Sequence, residues 1–402
     1  MEITERFLKY VSFGTNSDED SESCPSSPAQ LELGKYIAEE LKCIGLEKVR
    51  QDGNGYVYGF LPGKGALKDA PAVGFISHLD TSPSVRGDNI RPEIIEYRGG
   101  DITLADGQTA ITVKDNPALE YMVGEHIIVT DGQTLLGADD KAGVSEIVTL
   151  CAELAAGDES HRPVAVCFTP DEEIGRGADR FDIAGFGAGV AYTVDGGALG
   201  EIEYENFNAA SLKLTVNGVN IHPGSAKGRM KNAVLMASEF ISMLPEAEQP
   251  AHTEGYEGFY HVTDISGNET LCVLKAIIRD HDREKFEARK RFVARLCDYL
   301  NSVWGENSFV PEIRDSYYNM KEKIIPHMYL IDNARAAFTE NGVEPKSVPI
   351  RGGTDGARLS YEGLPCPNLS TGGYNFHSCR EFISVEAMKK MVKVLKSIAT
   401  RV

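Results

Sequence analysis

The sequence is short of basic residues, and this limits its partners. It has 41 Lys and Arg against 60 Asp and Glu among 402 residues, and the formal net charge is -19. Proteins that bind nucleic acid or anionic membranes non-specifically need basic patches, so we expect neither partner. The chain also lacks an apolar run long enough to span a bilayer, and its first residues show no secretory signal,.

The cysteines lack the spacing of a disulfide framework or a zinc-cysteine site. Eight are present, and no pair forms a Cys-x-x-Cys motif. Cys167 lies in an apolar, strand-like run and Cys151 in a helix-like run. Scattered reduced thiols are typical of proteins in a reducing cytosol. We therefore expect a cytoplasmic protein.

The chain is long enough for two domains and has ample apolar material, 42% of its residues, for their cores,. After a polar, Ser-rich loop at 12–28, strand-like and helix-like runs alternate, which predicts a central, mostly parallel sheet flanked by helices. Near residue 205 the order changes to β-α-β-β-α-β, as in small ferredoxin-like domains. We predict a discontinuous α/β domain of residues 1–205 and 316–402, with a smaller α+β domain inserted at 206–315.

Two adjacent glutamates, Glu172 and Glu173, follow an apolar run at 164–168. Neighbouring side chains on an extended segment point to opposite sides. The two carboxylates are therefore predicted to face different partners from one strand end, one holding a metal and the other handling protons. A solvated acidic turn is the alternative interpretation.

Four other strand ends or loops carry metal-type ligands. His78 and Asp80 are two residues apart on an extended chain, so Asp80 can hydrogen-bond and orient a metal-bound His78 ring. Asp139 precedes a helix, Asp195 precedes two glycines, and His377 lies in a Gly-rich loop. Taken singly, these residues also suit a surface pair, a helix cap or a turn.

Together these residues favour a two-metal site. The predicted ligands are His78, Asp139, Glu173, Asp195 and His377. Oxygen and imidazole donors without thiolate suit catalytic zinc, or manganese or cobalt in its place. A carboxylate shared by two ions is usual in two-metal hydrolases. All five fall at strand ends or in the loops that follow, where ligands bind in open α/β sheets.

Four motifs carry a family resemblance across essentially the whole chain. They are Ser77-His78-Leu79-Asp80-Thr81, Gly137-Ala138-Asp139-Asp140-Lys141, Thr169-Pro170-Asp171-Glu172-Glu173 and Thr193-Val194-Asp195-Gly196-Gly197. The sequence resembles the co-catalytic zinc peptidase family, which holds aminoacylases, carboxypeptidases and succinyl-diaminopimelate desuccinylases. Two further stretches, at 253–261 and 349–356, point to the aminotripeptidases within that family.

The resemblance implies two zinc ions per subunit and a role for each ligand. His78 and Asp195 would hold one ion, Glu173 and His377 the other, and Asp139 would bridge them.

The resemblance also implies the catalytic residues. Glu172 would be the general base, taking a proton from a metal-bridging water, and Asp80 would orient His78. The division of labour between Glu172 and Glu173 rests on the resemblance alone. The peptide bond between Asp139 and Asp140 is typically cis in such families.

The substrate-binding residues are also implied by the resemblance. His222 matches a histidine that reaches the site from the second domain, in many relatives from the partner subunit of a dimer. Arg279 and Arg351 would hold the C-terminal carboxylate, which a guanidinium meets bidentately. Asn206 and Asn208 could contact the substrate main chain. A turn histidine and an exposed strand arginine paired with its neighbouring aspartate are the alternatives for His222 and Arg279.

The function implied is a dizinc aminotripeptidase acting on small peptides, with the inserted domain as a lid. The resemblance also allows a homodimer through this domain. The nearest rivals are a related dizinc dipeptidase and an N-acyl-amino-acid amidohydrolase. A catalytically inactive binding homologue is the rival of another class. A purely structural metal is disfavoured, because structural zinc sites favour thiolates.

Overall fold

The computed structural model describes residues 1–401 and divides into two compact units. The first comprises Met1–Tyr204, Glu322–Val348 and the chain from Thr354 onward; the second comprises Glu205–Lys321 and Pro349–Gly353. These bounds differ from the predicted division at 206 and 316. The last strand of the second unit continues to Tyr317, and the short segment that includes Arg351 belongs to this unit rather than to the first.

The strands in chain order are β1 Glu47–Gln51, β2 Val57–Leu61, β3 Val73–His78, β4 Glu93–Glu96, β5 Ile102–Thr103, β6 Ala110–Ile111, β7 His126–Val129, β8 Val164–Thr169, β9 Ala191–Gly196, β10 Glu201–Glu203, β11 Asn208–Asn217, β12 Phe259–Gly267, β13 Leu271–Asp280, β14 Phe309–Tyr317, β15 Lys346–Ser347, β16 Asn368–Ser370, β17 Gly373–Tyr374 and β18 Phe382–Ser384. The α-helices are α1 Ile3–Val11, α2 Pro28–Ile44, α3 Ala138–Ala156, α4 Ile183–Phe186, α5 Ala233–Ser242, α6 Arg283–Trp304, α7 Lys321–Ile324, α8 Tyr329–Glu340, α9 Asp355–Tyr361 and α10 Val385–Ala399.

The first unit is built on an eight-stranded sheet with the order β1-β2-β8-β3-β9-β16-β10-β15. Its four central strands, β8, β3, β9 and β16, are parallel, and β2 and β10 flank them in the antiparallel sense. Every residue of β3 and β8 is buried, as expected of parallel strands covered on both faces,. The sheet is therefore mixed, with the predicted parallel arrangement at its centre and one further parallel pair, β10 and β15, at its edge.

Helices cover this sheet through two apolar clusters. Helix α3 packs on β3 and β9, and α1 and α10 pack against α3. A second cluster joins the sheet residues Ile76 and Cys167 to Phe186 of α4 and Leu359 of α9. Because β3, β8 and β9 run parallel, their carboxyl ends lie at one edge of the sheet, and this edge carries His78 and Asp195.

A second sheet of the first unit positions the loop that carries His377. Its order is β17-β18-β7-β4, and the loop lies between β17 and β18. The region at 84–134 supplies β4 and β7 to this sheet. It is therefore part of the framework behind the site.

The second unit is a four-stranded antiparallel sheet, β12-β13-β11-β14, with helices α5 and α6. Leu214, Leu274 and Ile278 of the sheet pack against Phe240 of α5 and Val293 of α6. This is the β-α-β-β-α-β arrangement that the sequence predicts. Within residues 1–401, every helix is too short or too polar to cross a membrane.

Candidate active site

Three predicted ligands converge at the carboxyl edge of the central sheet. His78 ends β3 and is almost fully buried, and its Nε2 lies 2.9 Å from Asp139 Oδ1. The same nitrogen lies 3.3 Å from Asp195 Oδ1, at the end of β9. One imidazole nitrogen is thus shared by two carboxylates from different strands and loops.

Asp139 connects this group to the other two predicted ligands. Its second oxygen, Oδ2, lies 3.1 Å from His377 Nε2, and this nitrogen is also 2.9 Å from Glu173 Oε2. The Asp139 carboxylate therefore lies between two imidazoles, as a bridging ligand would. Ligand atoms of His78, Asp139 and Glu173 all lie within 4.8 Å of one another, a spacing at which side chains can bind metal together.

The entry to helix α3 explains how Asp139 reaches this position. Gly137 adopts a left-handed conformation (φ 78°), and Asp139 and Asp140 have non-helical backbone angles with a cis peptide bond between them, as the resemblance implies. The Glu381 carboxylate accepts hydrogen bonds from the backbone N–H groups of Leu136, Gly137 and Asp139, at 2.6–3.0 Å. Asp139 is thus held by a buried glutamate, which sequence analysis missed, and is not an ordinary helix cap.

Asp80 does more than orient His78. It is fully buried, and its Oδ1 lies 3.3 Å from His78 Nδ1. Its two oxygens also accept the backbone N–H groups of Glu172 and Glu173, at 3.0 and 3.1 Å. One carboxylate therefore fixes both the His78 ring and the backbone of the two glutamates.

The conformation predicted for the two glutamates is wrong. Strand β8 ends at Thr169, Asp171 has a left-handed conformation (φ 58°), and Glu172–Ile174 is one turn of 3-10 helix. The alternation of an extended segment therefore does not apply to Glu172 and Glu173. The left-handed residue ends the strand instead, and Asp80 binds both amides of the following turn.

Burial alters the proton affinity of the carboxylates. It raises the pKa of Glu173 to about 7 and that of Asp195 to about 6. It also raises the pKa of Glu172 well above the usual range, and the nearby Asp195 and Asp355 carboxylates add to the effect. A carboxyl group whose pKa is raised in this way holds a proton more readily than an exposed one.

Hydrogen bonds dominate the titration of His377. Those to the Asp139 and Glu173 carboxylates raise the pKa of this histidine to about 10. For Asp139, burial favours the protonated form, but hydrogen bonds from His377 and His78 outweigh it and leave the pKa below its ordinary value. The cluster is thus held together by charge as well as by geometry.

The donors present fit a pair of divalent cations. They are imidazole nitrogens and carboxylate oxygens without thiolate, which suits catalytic zinc and related ions. Glu173 Oε1 is buried and has no hydrogen-bond partner among the described residues, as expected of an atom placed to bind a cation,. Sequence analysis identified the five proposed ligands, His78, Asp139, Glu173, Asp195 and His377.

Two further buried charges at this edge were missed. Lys141 is fully buried, and its Nζ makes no hydrogen bond within residues 1–401. Burial lowers its pKa to about 8, against the opposing fields of Glu381 and Asp80. Asp355 accepts a hydrogen bond from Thr169 Oγ1 at 3.1 Å. The motifs quoted above contain Lys141 and Asp355, but spacing alone gives neither a role.

The residues predicted to bind substrate all lie in the second unit, in different environments. Arg279 Nη1 is buried and lacks a hydrogen-bond partner in the described part of the chain, and the guanidinium lies 4.8 Å from the centre of the Tyr317 ring. His222 is exposed, and its Nδ1 accepts the Gly224 N–H at 3.2 Å. Of the set, Arg279 has the most capacity left for an anion.

Arg351 and Asn208 are instead engaged within the second unit. Arg351 donates to the carbonyl oxygens of Thr253, Gly255 and Glu257 at 2.8–3.3 Å, and to Thr253 Oγ1 at 2.9 Å. Asn208 is buried, and its side-chain N–H groups donate to the carbonyls of residues 280 and 281 at 3.0 Å. Its Oδ1 accepts the N–H of residue 319 at 3.0 Å. Both side chains therefore hold loops of the second unit together.

Comparisons with known proteins agree with this geometry. Residues 204–307 match the family described as "Peptidase dimerisation domain". Peptidase T of Halothermothrix orenii is 52% identical over 399 residues, covering 98% of each chain. Peptidase T of Geobacillus thermodenitrificans is 52% identical over 400 residues, covering 99% of this chain and 97% of that one.

Two solved structures share the fold. An aminopeptidase of Bacillus cereus has a TM-score of 0.78 at 21% identity, covering 99% of this chain and 97% of that one. A tripeptidase of Staphylococcus aureus has a TM-score of 0.77 at 20% identity, with the same coverage. Both relatives are named peptidase T, are 52% identical to this chain and match it over nearly its full length. The chain therefore belongs to the peptidase T family of aminopeptidases.

Proposed function

We propose that the chain is a dizinc aminopeptidase that removes the N-terminal residue from tripeptides. The observation that carries this proposal is the convergence of five ligand side chains, with Asp139 between the other four and the carboxylate of Glu172 beside them. The names of the half-identical relatives, and the tripeptidase among the proteins of the same fold, support the substrate class.

The metal ligands divide into two sets about Asp139. His78 and Asp195 would hold one ion, Glu173 and His377 the other, and Asp139 would contribute one carboxylate oxygen to each. When bound, a pair of divalent ions supplies a nucleophilic water at neutral pH and polarises the scissile carbonyl. The ligands themselves fix where this chemistry takes place.

Glu172 would move the proton. Its carboxylate takes a proton from the attacking water as the new carbon–oxygen bond forms, and returns it to the leaving amine nitrogen as the carbon–nitrogen bond breaks. Burial and the nearby Asp195 and Asp355 carboxylates stabilise the protonated form of Glu172 between these steps, and they raise its pKa accordingly. Asp80 keeps the backbone of this residue in place.

Substrate recognition would depend most on Arg279. Its half-buried guanidinium has an unpaired N–H and can meet the C-terminal carboxylate of a short peptide,. Arg351, Asn208 and His222 remain proposed substrate-binding residues, with Arg351 and Asn208 acting through the loops that they hold. The match to a peptidase dimerisation domain also supports a homodimer through the second unit, and we propose a cytoplasmic location.

A peptide panel combined with one variant tests the proposal. The panel compares di-, tri- and tetrapeptides with free or acetylated N-termini, and elemental analysis measures bound zinc. We expect free tripeptides to be cleaved fastest, and Glu172→Gln to lower kcat by roughly 10²–10⁴-fold with zinc retained. Glu93→Gln, which changes an exposed glutamate of β4, is the matched control.

The same experiment separates the rival functions. Equal cleavage of acetylated substrates would contradict an aminopeptidase and favour an N-acyl-amino-acid amidohydrolase. Preference for dipeptides would favour a dipeptidase. Full activity of Glu172→Gln with zinc bound would contradict the role of Glu172, and zinc binding without hydrolysis of any peptide would indicate an inactive binding homologue.

A further inference from the structure

The Ser-rich loop at 12–28 has a structural connection to the two glutamates. Asp171, which immediately precedes Glu172, is fully buried, and its carboxylate is bound from this loop. The backbone N–H of Ser26 donates to its two oxygens at 2.8 and 3.0 Å, and the Ser26 hydroxyl donates to Oδ1 at 2.5 Å. A polar loop that sequence composition would leave in solvent is therefore tied to the site.

Gln30, in the first turn of α2, completes the network. Its Nε2 donates to Asp171 Oδ1 at 2.7 Å, and its Oε1 accepts the Asp171 backbone N–H at 3.1 Å. The Gln30 side chain is fully buried. Asp171 is therefore held through both its carboxylate and its backbone, by neutral partners.

Arg176 closes the same connection from the other side of the turn. Its backbone N–H donates to the carbonyl of Asp171 at 2.9 Å, and its Nη1 donates to the carbonyl of Ser21 at 2.6 Å. The segment from Asp171 to Arg176, which contains Glu172 and Glu173, is thus bound to the Ser-rich loop at both ends.

The conformation of Asp171 shows why this matters for Glu172. Asp171 has φ 58°, a left-handed conformation that non-glycine residues adopt only when their surroundings impose it,. This residue turns the chain out of β8 and into the 3-10 turn of the glutamates. Asp80 holds the turn from the metal-ligand side, and the Ser26–Gln30 network holds it from the loop side.

We propose that Asp171, fixed by Ser26 and Gln30, is a positioning residue for the proton carrier Glu172, and that the Ser-rich loop is a working part of the active site. This inference rests on the proposed function of Glu172. The Asp171 carboxylate accepts its hydrogen bonds from Ser26 and Gln30, and Asp171 sets the backbone from which the Glu172 side chain extends. A small displacement of a proton-transfer group costs rate and leaves substrate binding intact.

The test separates the hydrogen bonds from the backbone conformation. Asp171→Gly keeps the left-handed conformation accessible and removes the carboxylate, and Ser26→Ala removes one of its donors. We expect Asp171→Gly to lower kcat by roughly 10- to 100-fold, with KM and bound zinc within about twofold of the parent. Ser26→Ala should show a smaller loss of the same kind, and Ser26→Thr, which keeps the hydroxyl, should restore kcat.

Two comparison variants make the outcome decisive. Glu22→Gln changes an exposed side chain of the same loop, and its kcat should match the parent. If Asp171→Gly and Ser26→Ala keep the parental kcat while Glu172→Gln is inactive, the positioning role is wrong. A loss of kcat that only follows a loss of zinc would also overturn it. If Glu172→Gln is fully active with zinc bound, the proposed function itself fails. Should Asp171→Gly not fold, Ser26→Ala and its threonine rescue decide the question.

Discussion

The two units hold their polar side chains in opposite ways. At the edge of the first unit, His78 and His377 both contact the Asp139 carboxylate. Metal-ligand atoms of His78, Asp139 and Glu173 lie within 4.8 Å of one another. In the second unit, the side chains of Arg351 and Asn208 donate hydrogen bonds to backbone carbonyls. Arg279 Nη1, by contrast, has no hydrogen-bond partner among the described residues.

This difference distinguishes side chains that are expected to affect ligand binding from side chains that are expected to affect stability. The geometry of the proposed metal ligands depends on each side chain of the cluster, because these side chains contact one another. One substitution there is therefore expected to disturb the whole site. A guanidinium saturated by main-chain carbonyls acts on stability, whereas an unpaired one is free to act on a ligand. The three predictions below test this distinction.

The largest effect is expected for Asp139→Asn. An amide has one oxygen and no negative charge, so it cannot replace a carboxylate that would be shared by two ions. The variant should therefore lose most of its bound zinc and its activity together. Elemental analysis and tripeptide hydrolysis measure the two losses. The exposed Asp69→Asn is a matched control, and retention of all zinc by Asp139→Asn would contradict a bridging role.

A paired comparison of Arg279→Met and Arg351→Met should split binding from stability. Hydrogen bonds to charged groups contribute about 1.5–3 kcal/mol, so Arg279→Met should raise KM for tripeptides by roughly 10- to 100-fold. Arg351→Met should mainly lower the free energy of unfolding, by about 1–3 kcal/mol, because three backbone carbonyls lose their donor,.

Denaturant unfolding and steady-state kinetics of both variants measure these effects. If Arg351→Met raised KM as much as Arg279→Met and left stability unchanged, the contrast between the two arginines would be wrong.

The smallest effect is the pH dependence of metal binding. Metal ligands must be deprotonated, and before metal binds, the pKa of Glu173 is about 7 and that of His377 about 10,. Burial lowers the pKa of His78, but the Asp195 and Asp139 carboxylates outweigh it and raise this pKa well above its ordinary value. Zinc must therefore displace protons from the histidine ligands, and below pH 7 the Glu173 proton as well. Affinity should therefore fall as pH falls, by up to about tenfold per pH unit for each displaced proton, and more steeply below pH 7.

Competition with a chromophoric chelator across this pH range measures the slope. Glu173→Gln should make the zinc affinity depend less steeply on pH below pH 7. An affinity that does not change with pH in the parent protein would contradict these protonation states.

The sequence is most informative where a ligand type and a strand end coincide. The ends of parallel strands meet at one edge, so His78 and Asp195 could be placed together from hydrophobic runs and residue chemistry alone. The turn that contains Glu172 could not be predicted in this way. It depends on the left-handed conformation of Asp171 and on hydrogen bonds from Ser26 and Gln30, which are distant in sequence and leave no periodic pattern.

Glu381 and Lys141 were missed for a related reason. The importance of Glu381 comes from three backbone N–H groups about 240 residues away in sequence, and that of Lys141 from the complete burial of its ammonium group. Neither property leaves a local pattern. Arg351 shows the converse, since its motif suggests a ligand-binding residue and its contacts are those of a loop clamp.

The segment Pro349–Gly353 has a consequence for how the chain can be divided. The polypeptide passes from one unit to the other after residues 204, 321, 348 and 353, so the second unit is not a simple insertion with one entry and one exit. Asn206 pairs with Ile350 in a β-bridge, and Arg351 binds the loop at 253–257. Excising residues 205–321 would therefore strip a distant five-residue segment of its partners. A transplanted second unit would need this segment supplied as a separate strand.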